Sequence, residues 1–172
     1  MWTIIKKEVK SYFLSPIAYI FIGLFLFMNS IFFYLDVYAI GRVNFEYMFG
    51  SLATVLTFAV PILTMRMFAE ERKNGTEQIL YTSPRSITSI VLGKFLAATI
   101  IMVICEVFTL MYLGILKYFG QPHISTALVT LLGFLLLSMA YIAFGMFASS
   151  ITENQIIAGV ITIAGLLVIW FM

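Results

Sequence analysis

Long uninterrupted apolar stretches alternate with short polar segments along this chain. Soluble domains alternate apolar and polar positions because each element buries one face, whereas a transmembrane helix needs about 20 consecutive apolar residues. Stretches of about that length recur, and they predict five transmembrane helices, at residues 17–35, 49–65, 89–116, 124–148 and 155–172. The pattern therefore predicts an all-α, polytopic helical membrane protein with a single transmembrane domain over residues 1–172.

The segment before the first predicted span has a different pattern, typical of an amphipathic helix. Its apolar positions recur at helical spacing and predict one face: Trp2, Ile5, Val9, Tyr12 and Phe13. Its cations lie outside that face: Lys6, Lys7 and Lys10. A basic amphipathic helix of this kind is typical of a segment that lies in the membrane interface, and Ser15-Pro16 ends it. The alternative is a charged tail that only sets topology.

The positions of the charged residues along the chain are more informative than the net charge. Only 10% of the residues are charged and the formal net charge is +2, which does not indicate nucleic-acid binding. Eight of the ten Lys and Arg residues lie before the first span or between the second and third. Because positively charged loops stay in the cytoplasm, we expect a multi-pass protein of the inner (cytoplasmic) membrane with its N-terminus inside.

The polar segment 66–94 holds eight of the 18 charged residues of the chain. Asn74 and Gly75 are typical of a helix end, and Thr76 is a suitable N-cap for a second short helix whose first turn contains Glu77. Lys94 lies at the start of the third span, where its ammonium is expected to snorkel to the interface. Two short, charged helices between spans favour a docking surface for a soluble protein. The alternative is a solvated loop whose charges pair weakly at the surface.

Two polar residues within the predicted spans mark a candidate intramembrane polar site. Glu106 lies in the middle of the third span, where a charge costs roughly 2.5–3.5 kcal/mol, so it must face protein or water. It either contacts a substrate or proton, or it is a carboxyl hydrogen-bonded to a neighbouring span. The same alternatives apply to Asn29 in the first span. Gly145 and Ser149 predict a close contact between spans.

The residues needed for catalysis or metal binding are sparse. The single histidine, His123, follows Pro122 in a predicted outer turn, and the single cysteine, Cys105, lies within a span. Neither residue has the partners in the sequence that would make a catalytic pair of nucleophile and general base or a cluster of metal ligands. We therefore expect no catalytic or metal-ligating residues, and an ion-coupled carrier and a non-transporting membrane scaffold are two alternative functions that stay open.

Three stretches, in order, resemble ABC-2 type permeases, the transmembrane subunits of a class of ATP-driven transporters. The most specific is residues 68–80, Phe-Ala-Glu-Glu-Arg-Lys-Asn-Gly-Thr-Glu-Gln-Ile-Leu, followed by Ser83-Pro84 and by residues 90–95. The other two are residues 7–13 together with 15–19, and residues 148–155. Together they are most similar to the branch of gliding-motility-associated permeases.

This resemblance implies an exporter of an unidentified substrate, with a second permease chain and a separate ATPase subunit as partners. ATP and Mg²⁺ would bind that subunit and no cofactor would bind this chain, which has no G-x-x-x-x-G-K-[ST] phosphate loop. Trp2 to Phe13 would form an interfacial connecting helix. Family members have six spans, so five imply either truncation in or after the fifth span or a short variant. The residues implied in ATPase coupling are Glu70, Glu71, Arg72, Lys73, Gly75, Thr76, Glu77, Gln78 and Leu80.

Overall fold

The structure, a computed structural model, describes residues 2–39, 45–75, 86–119 and 124–172, and all regular structure in them is helical. The predicted all-α class is therefore confirmed. A π-helical turn, Leu35–Ala39, continues the second helix. The α-helices are α1 Trp2–Leu14, α2 Pro16–Tyr34, α3 Phe45–Thr64, α4 Ala69–Lys73, α5 Ile87–Phe119, α6 Ile124–Ile151 and α7 Gln155–Phe171.

Within the described ranges, four stretches are long and apolar enough to cross a membrane: Pro16–Val37, Met48–Lys73, Ile87–Tyr118 and Ile124–Ile151. They contain the first four predicted spans, and each extends past at least one of its predicted limits. The fifth predicted span corresponds to α7, an apolar helix of 17 residues that is shorter than the other four. The count of five and the cytoplasmic N-terminus stay predictions.

Helix α3 lies at the centre of the packing, in contact with α2, α6 and α7, while α5 packs against α1, α2 and α6. Aromatic rings connect α2, α3 and α6, because Phe134 lies 6.0 Å from Phe25 and 4.9 Å from Phe49 between ring centroids. Large apolar side chains without solvent exposure form the core between α2, α3 and α5: Phe21, Phe25, Leu52, Leu56, Leu63, Ile101 and Met102.

Small residues allow the helices to approach closely at two places near α4. A Cβ atom added at Gly145 in α6 would overlap the Thr64 side chain at the end of α3, and one at Gly93 in α5 would lie 2.7 Å from Ile4 Cγ2 in α1. The close contact predicted at Gly145 is therefore confirmed. Both glycines hold neighbouring helices nearer than a larger residue permits.

Helix α1 ends at Leu14, and Ser15 turns the chain before Pro16 opens α2, as the sequence predicts. Its apolar face packs on the protein, with Ile5 and Tyr12 buried. Trp2 lies on the same side of the helix as Val9 and Phe13, but it is the first residue of α1 and is 73% exposed. Lys6, Lys7 and Lys10 are exposed and Phe13 is half-buried. The placement of α1 in a membrane interface stays a prediction, and buried Tyr12 faces protein instead.

Candidate functional site

The chain turns between α3 and α4, and a serine of α6 fixes that turn. Phe68, which precedes α4, offers no side-chain acceptor to the first backbone N–H groups of the helix. Ser149 Oγ accepts hydrogen bonds from the N–H groups of Phe68 and Ala69, at 3.1 Å each, and donates to the Met65 carbonyl at 3.2 Å. Because the first N–H groups of a helix have no partner within it, Ser149 satisfies them and fixes the start of α4 on α6.

The C-terminal end of α4 lies where the sequence predicts it. The helix ends at Lys73, the Asn74 N–H donates to the Glu70 carbonyl at 3.0 Å, and Gly75 has φ +67°. That left-handed conformation favours glycine and ends a helix sharply. The helix end predicted at Asn74 and Gly75 is therefore confirmed, while the second short helix predicted from Thr76 onward lies outside the described residues.

One buried lysine connects three helices. Lys94 Nζ in α5 lies 2.7 Å from Glu71 Oε1 in α4 and 3.4 Å from Glu8 Oε2 in α1. Lys94 is only 2% exposed, and its ammonium lies 5.4 Å from the centre of the Phe68 ring. An ammonium removed from water costs several kcal/mol unless it is paired, so these ion pairs fix the mutual positions of the three helices. We call Glu8, Glu71 and Lys94 the charged joint.

The expectation that Lys94 snorkels to the interface is wrong. Helix α1 covers this part of α5, and Glu8 and Glu71 bring the negative charge to the ammonium. Glu8 and Lys94 belong to this candidate site, and sequence reasoning missed both of them. The available signal was a single acidic residue in a basic helix and a lysine within an apolar stretch, but no register connects residues 86 positions apart.

Further polar contacts hold α1 and α4 at the end of α3. Arg66 donates to both carboxylate oxygens of Glu70, with 2.7 Å between Nε and Oε2. The Tyr12 hydroxyl in α1 donates to the Leu63 carbonyl at 3.3 Å. Burial, followed by the carboxylates of the charged joint, raises the pKa of Tyr12 well above its ordinary value, so the hydroxyl keeps the proton that it donates.

Five of the nine predicted ATPase-coupling residues lie in the described part of the chain, and they form two groups. Glu70 and Glu71 are engaged in ion pairs within the protein, and Arg72 is half-buried beside a cavity. Lys73 and Gly75 are exposed at the end of α4. The remaining four predicted residues lie outside the described part of the chain: Thr76, Glu77, Gln78 and Leu80. Only the exposed end of α4 thus offers described residues of this set to a soluble partner.

A second polar cluster lies in the middle of the spans, between α2 and α5. Asn29 Nδ2 donates to Thr109 Oγ1 at 2.7 Å, which connects the two helices. Glu106, one turn away on α5, is 8% exposed and therefore faces protein, as expected. Asn29 Oδ1 and Glu106 Oε1 are buried and accept no hydrogen bond from the described residues. The cluster therefore contains more acceptors than donors when Glu106 is ionised.

No group of three His, Cys, Asp or Glu side chains in the described ranges is arranged to hold a metal ion. Cys105 is a buried, free thiol next to Glu106.

Comparison with known proteins gives a family. A family model described as ABC-2 family transporter protein matches residues 41–172, which is well over half of the chain. The matched range runs from α3 to α7 and contains two members of the charged joint, Glu71 and Lys94, while the N-terminal stretch with Glu8 lies outside it. The chain matches no curated protein and no solved structure. The chain therefore belongs to the ABC-2 transporter family and is a membrane component of an ABC transporter.

Proposed function

We propose that this chain is the permease subunit of an ABC exporter and that a separate ATPase subunit binds at the exposed end of α4. The observation that carries the proposal is the charged joint, because it connects this short exposed helix to α1 and α5 through one buried lysine. ATP and Mg²⁺ would bind the ATPase subunit, and a second permease chain would complete the transporter.

The exposed end of α4 has the properties of a docking site. Lys73, Asn74 and Gly75 are exposed. They end a helix whose start is fixed on α6 by Ser149 and whose middle is fixed on α5 by Glu71. Residues 76–80, which the family resemblance assigns to the coupling helix, follow directly. A contact made on a segment held this firmly is transmitted instead of being absorbed by local bending.

The same contacts define a route for motion. A displacement of α4 by the ATPase would move α5 through Lys94, α1 through Glu8 and α6 through Ser149. Rigid-body shifts of packed helices are a common way of converting a local contact into a change of a transport pathway. Export as the direction rests on the resemblance to ABC-2 permeases, and the gliding-motility branch stays a prediction from the same resemblance.

Affinity purification from native membranes tests the docking site. We expect the wild-type chain to recover a soluble ATPase containing a G-x-x-x-x-G-K-[ST] phosphate loop, identified by mass spectrometry. Lys73→Glu should lose it, because the charge is reversed at the exposed end of α4. Lys10→Glu is the matched control, since it reverses an exposed lysine on α1.

Two outcomes would contradict the proposal. Equal recovery of the ATPase with both variants would show that the ATPase does not dock at the exposed end of α4. If the wild-type chain recovers no ATPase under conditions that preserve other ABC transporters, a non-transporting scaffold becomes the better account. Glu71→Lys is less informative, because it places a second cation beside buried Lys94 and so tests the charged joint instead of docking.

A further inference from the structure

The hydrogen bonds of the polar cluster between α2 and α5 fix the orientation of the Asn29 amide. The Thr109 hydroxyl donates to the Cys105 carbonyl at 3.0 Å and accepts from Asn29 Nδ2 at 2.7 Å. Since a hydroxyl has one proton and Thr109 gives it to Cys105, Asn29 must turn its amino group to Thr109. The carbonyl oxygen of Asn29 therefore needs a donor other than Thr109.

Glu106 is the residue placed to supply that donor. It lies three residues before Thr109 on α5, and residues at this spacing share a helix face with Cβ atoms about 5–6 Å apart. Asn29 is 0% and Glu106 is 8% exposed, so bulk water does not satisfy the unpaired acceptors Asn29 Oδ1 and Glu106 Oε1. A carboxylate only accepts hydrogen bonds, whereas a carboxylic acid has an O–H group that donates one.

The helices around this part of α5 bring no cation to an ionised Glu106. Helices α2 and α6 contain no Asp, Glu, Lys, Arg or His, and α3 contains only Glu46, a further carboxylate. The other titratable side chains of these helices and of the middle of α5 are tyrosines and Cys105, which bring no positive charge. Among the described residues, the cations must therefore come from the two ends of α5.

Those cations are too far away to compensate a carboxylate at Glu106. Lys94 and Lys117 lie twelve and eleven residues away on α5, or about 18 and 16 Å along the helix axis. Helix α1 contacts α5 around Gly93 and Lys94, so it approaches α5 at the Lys94 end. A buried acidic group without a counter-ion neutralises its charge by binding a proton.

We propose that Glu106 is a proton-binding site and that its carboxylic O–H donates to Asn29 Oδ1 at neutral pH. The proton then completes a chain of hydrogen bonds from Glu106 through Asn29 and Thr109 to the Cys105 carbonyl. When the acid dissociates, the proton passes to water and the electron pair stays on the carboxylate. Both acceptors then lack a donor, so pH controls how firmly α2 is held on α5. This proposal does not depend on the ATPase.

Infrared spectroscopy of the full chain in detergent at neutral pH tests the protonation directly. A protonated carboxyl group has a C=O stretching band at a higher frequency than the bands of a carboxylate. We expect this band in the wild-type chain and its loss in Glu106→Gln. Glu153→Gln is the matched control, since it changes an exposed glutamate in the same way and should keep the band.

The same band reports on the hydrogen bond to Asn29. Asn29→Leu removes the acceptor at similar volume, so the band should stay and shift to a higher frequency, as expected for an acid that loses its acceptor. Ser30→Ala is the control, because the Ser30 hydroxyl contacts the Tyr112 hydroxyl instead, at 2.6 Å, and should leave the band where it is.

The pH dependence of unfolding in detergent is an independent readout. At mildly acidic to neutral pH an unfolded glutamate has released its proton, while the folded chain still holds the one on Glu106. Raising the pH therefore favours unfolding, by about tenfold in the unfolding equilibrium constant per pH unit for a difference of one proton. We expect this dependence in the ratio of the wild-type constant to that of Glu106→Gln, in which the other titrating groups cancel.

Three results would contradict the proposal. The absence of an acid band from the wild-type chain at neutral pH, or a band that Glu106→Gln does not remove, would show that Glu106 is ionised. Identical pH dependence of the wild-type chain and Glu106→Gln would show that folding takes up no proton there. A band that Asn29→Leu does not shift would overturn the hydrogen bond to Asn29.

Discussion

Helix α5 buries a lysine near its start, Lys94, and a glutamate near its middle, Glu106, and the surroundings of the two side chains differ. Lys94 contacts two carboxylates from two other helices and is part of the charged joint. Glu106 has a buried carboxylate oxygen that accepts no hydrogen bond from the described residues, and the same is true of Asn29 Oδ1 nearby. The first site connects three helices through two ion pairs, whereas the second connects two helices through one hydrogen bond, from Asn29 to Thr109.

This contrast shows that burial alone does not indicate how much a polar group contributes to the free energy of unfolding. Removing one partner of a buried ion pair leaves a buried, uncompensated charge, which costs more than the pair itself contributes. Removing an acceptor from a site that has more acceptors than donors relieves part of the free-energy cost of burying acceptors without hydrogen bonds. Substitutions at the charged joint should therefore be much more damaging than substitutions in the intramembrane cluster.

The largest effect is expected from Lys94→Met, which keeps the length and apolar stem of the side chain but removes its charge. Glu8 and Glu71 would then face each other without a cation, and we expect a loss of about 3–5 kcal/mol in the free energy of unfolding. Denaturation in detergent, followed by circular dichroism, measures it. Lys7→Met changes an exposed lysine of α1 and serves as control, with an expected change within about 0.5 kcal/mol. A loss below about 1 kcal/mol for Lys94→Met would show that the joint does not hold the helices.

A smaller effect is expected from Ser149→Ala. The substitution removes the acceptor for two N–H groups and the donor to one carbonyl, so it should cost about 1–3 kcal/mol and loosen the start of α4. Hydrogen exchange of the Phe68 and Ala69 amides should accelerate. Ser150→Ala is the control, since the Ser150 hydroxyl donates only to the Phe147 carbonyl within its own helix, at 2.7 Å. Unchanged exchange in Ser149→Ala would contradict this role of the serine.

Within the intramembrane cluster, Thr109→Val removes the hydrogen bond from Asn29 between α2 and α5 at nearly constant volume. Hydrogen bonds between membrane helices average about 0.6 kcal/mol and reach about 1.7, and we expect a loss in that range. Thr99→Val is the matched control on α5, because the Thr99 hydroxyl donates to Phe95 in its own helix. Equal effects of the two variants would show that the bond to Asn29 contributes nothing between helices.

The smallest effect is expected from Glu106→Gln. The amide keeps the shape of the side chain and adds donors beside acceptors that have none, so the free energy of unfolding should change by less than about 0.5 kcal/mol or rise. Thermal unfolding in detergent measures the change. A loss comparable with that of Lys94→Met would mean that Glu106 acts as a carboxylate with a partner of its own.

The sequence predicted what depends on local pattern and missed what depends on packing. Apolar stretches are long enough to identify four spans, and Asn74-Gly75 indicates the end of α4 because only backbone geometry is involved. The charged joint could not be predicted, since it requires knowing that α1 folds back over the first turns of α5. The Ser149 contact was missed for a similar reason, because an ordinary serine near the end of a span gives no sign that it satisfies another helix.

The measurement that tests the central account most directly is the distance between α1 and α4, by pulsed electron paramagnetic resonance. Spin labels at Lys10→Cys and Lys73→Cys, in a Cys105→Ala background, report on exposed positions of the two helices. Because the charged joint connects both helices to α5, we expect a narrow distance distribution that broadens when Lys94→Met is added and stays narrow when Lys7→Met is added. An equally narrow distribution in Lys94→Met would contradict the account, since α1 and α4 would then hold their positions without the joint.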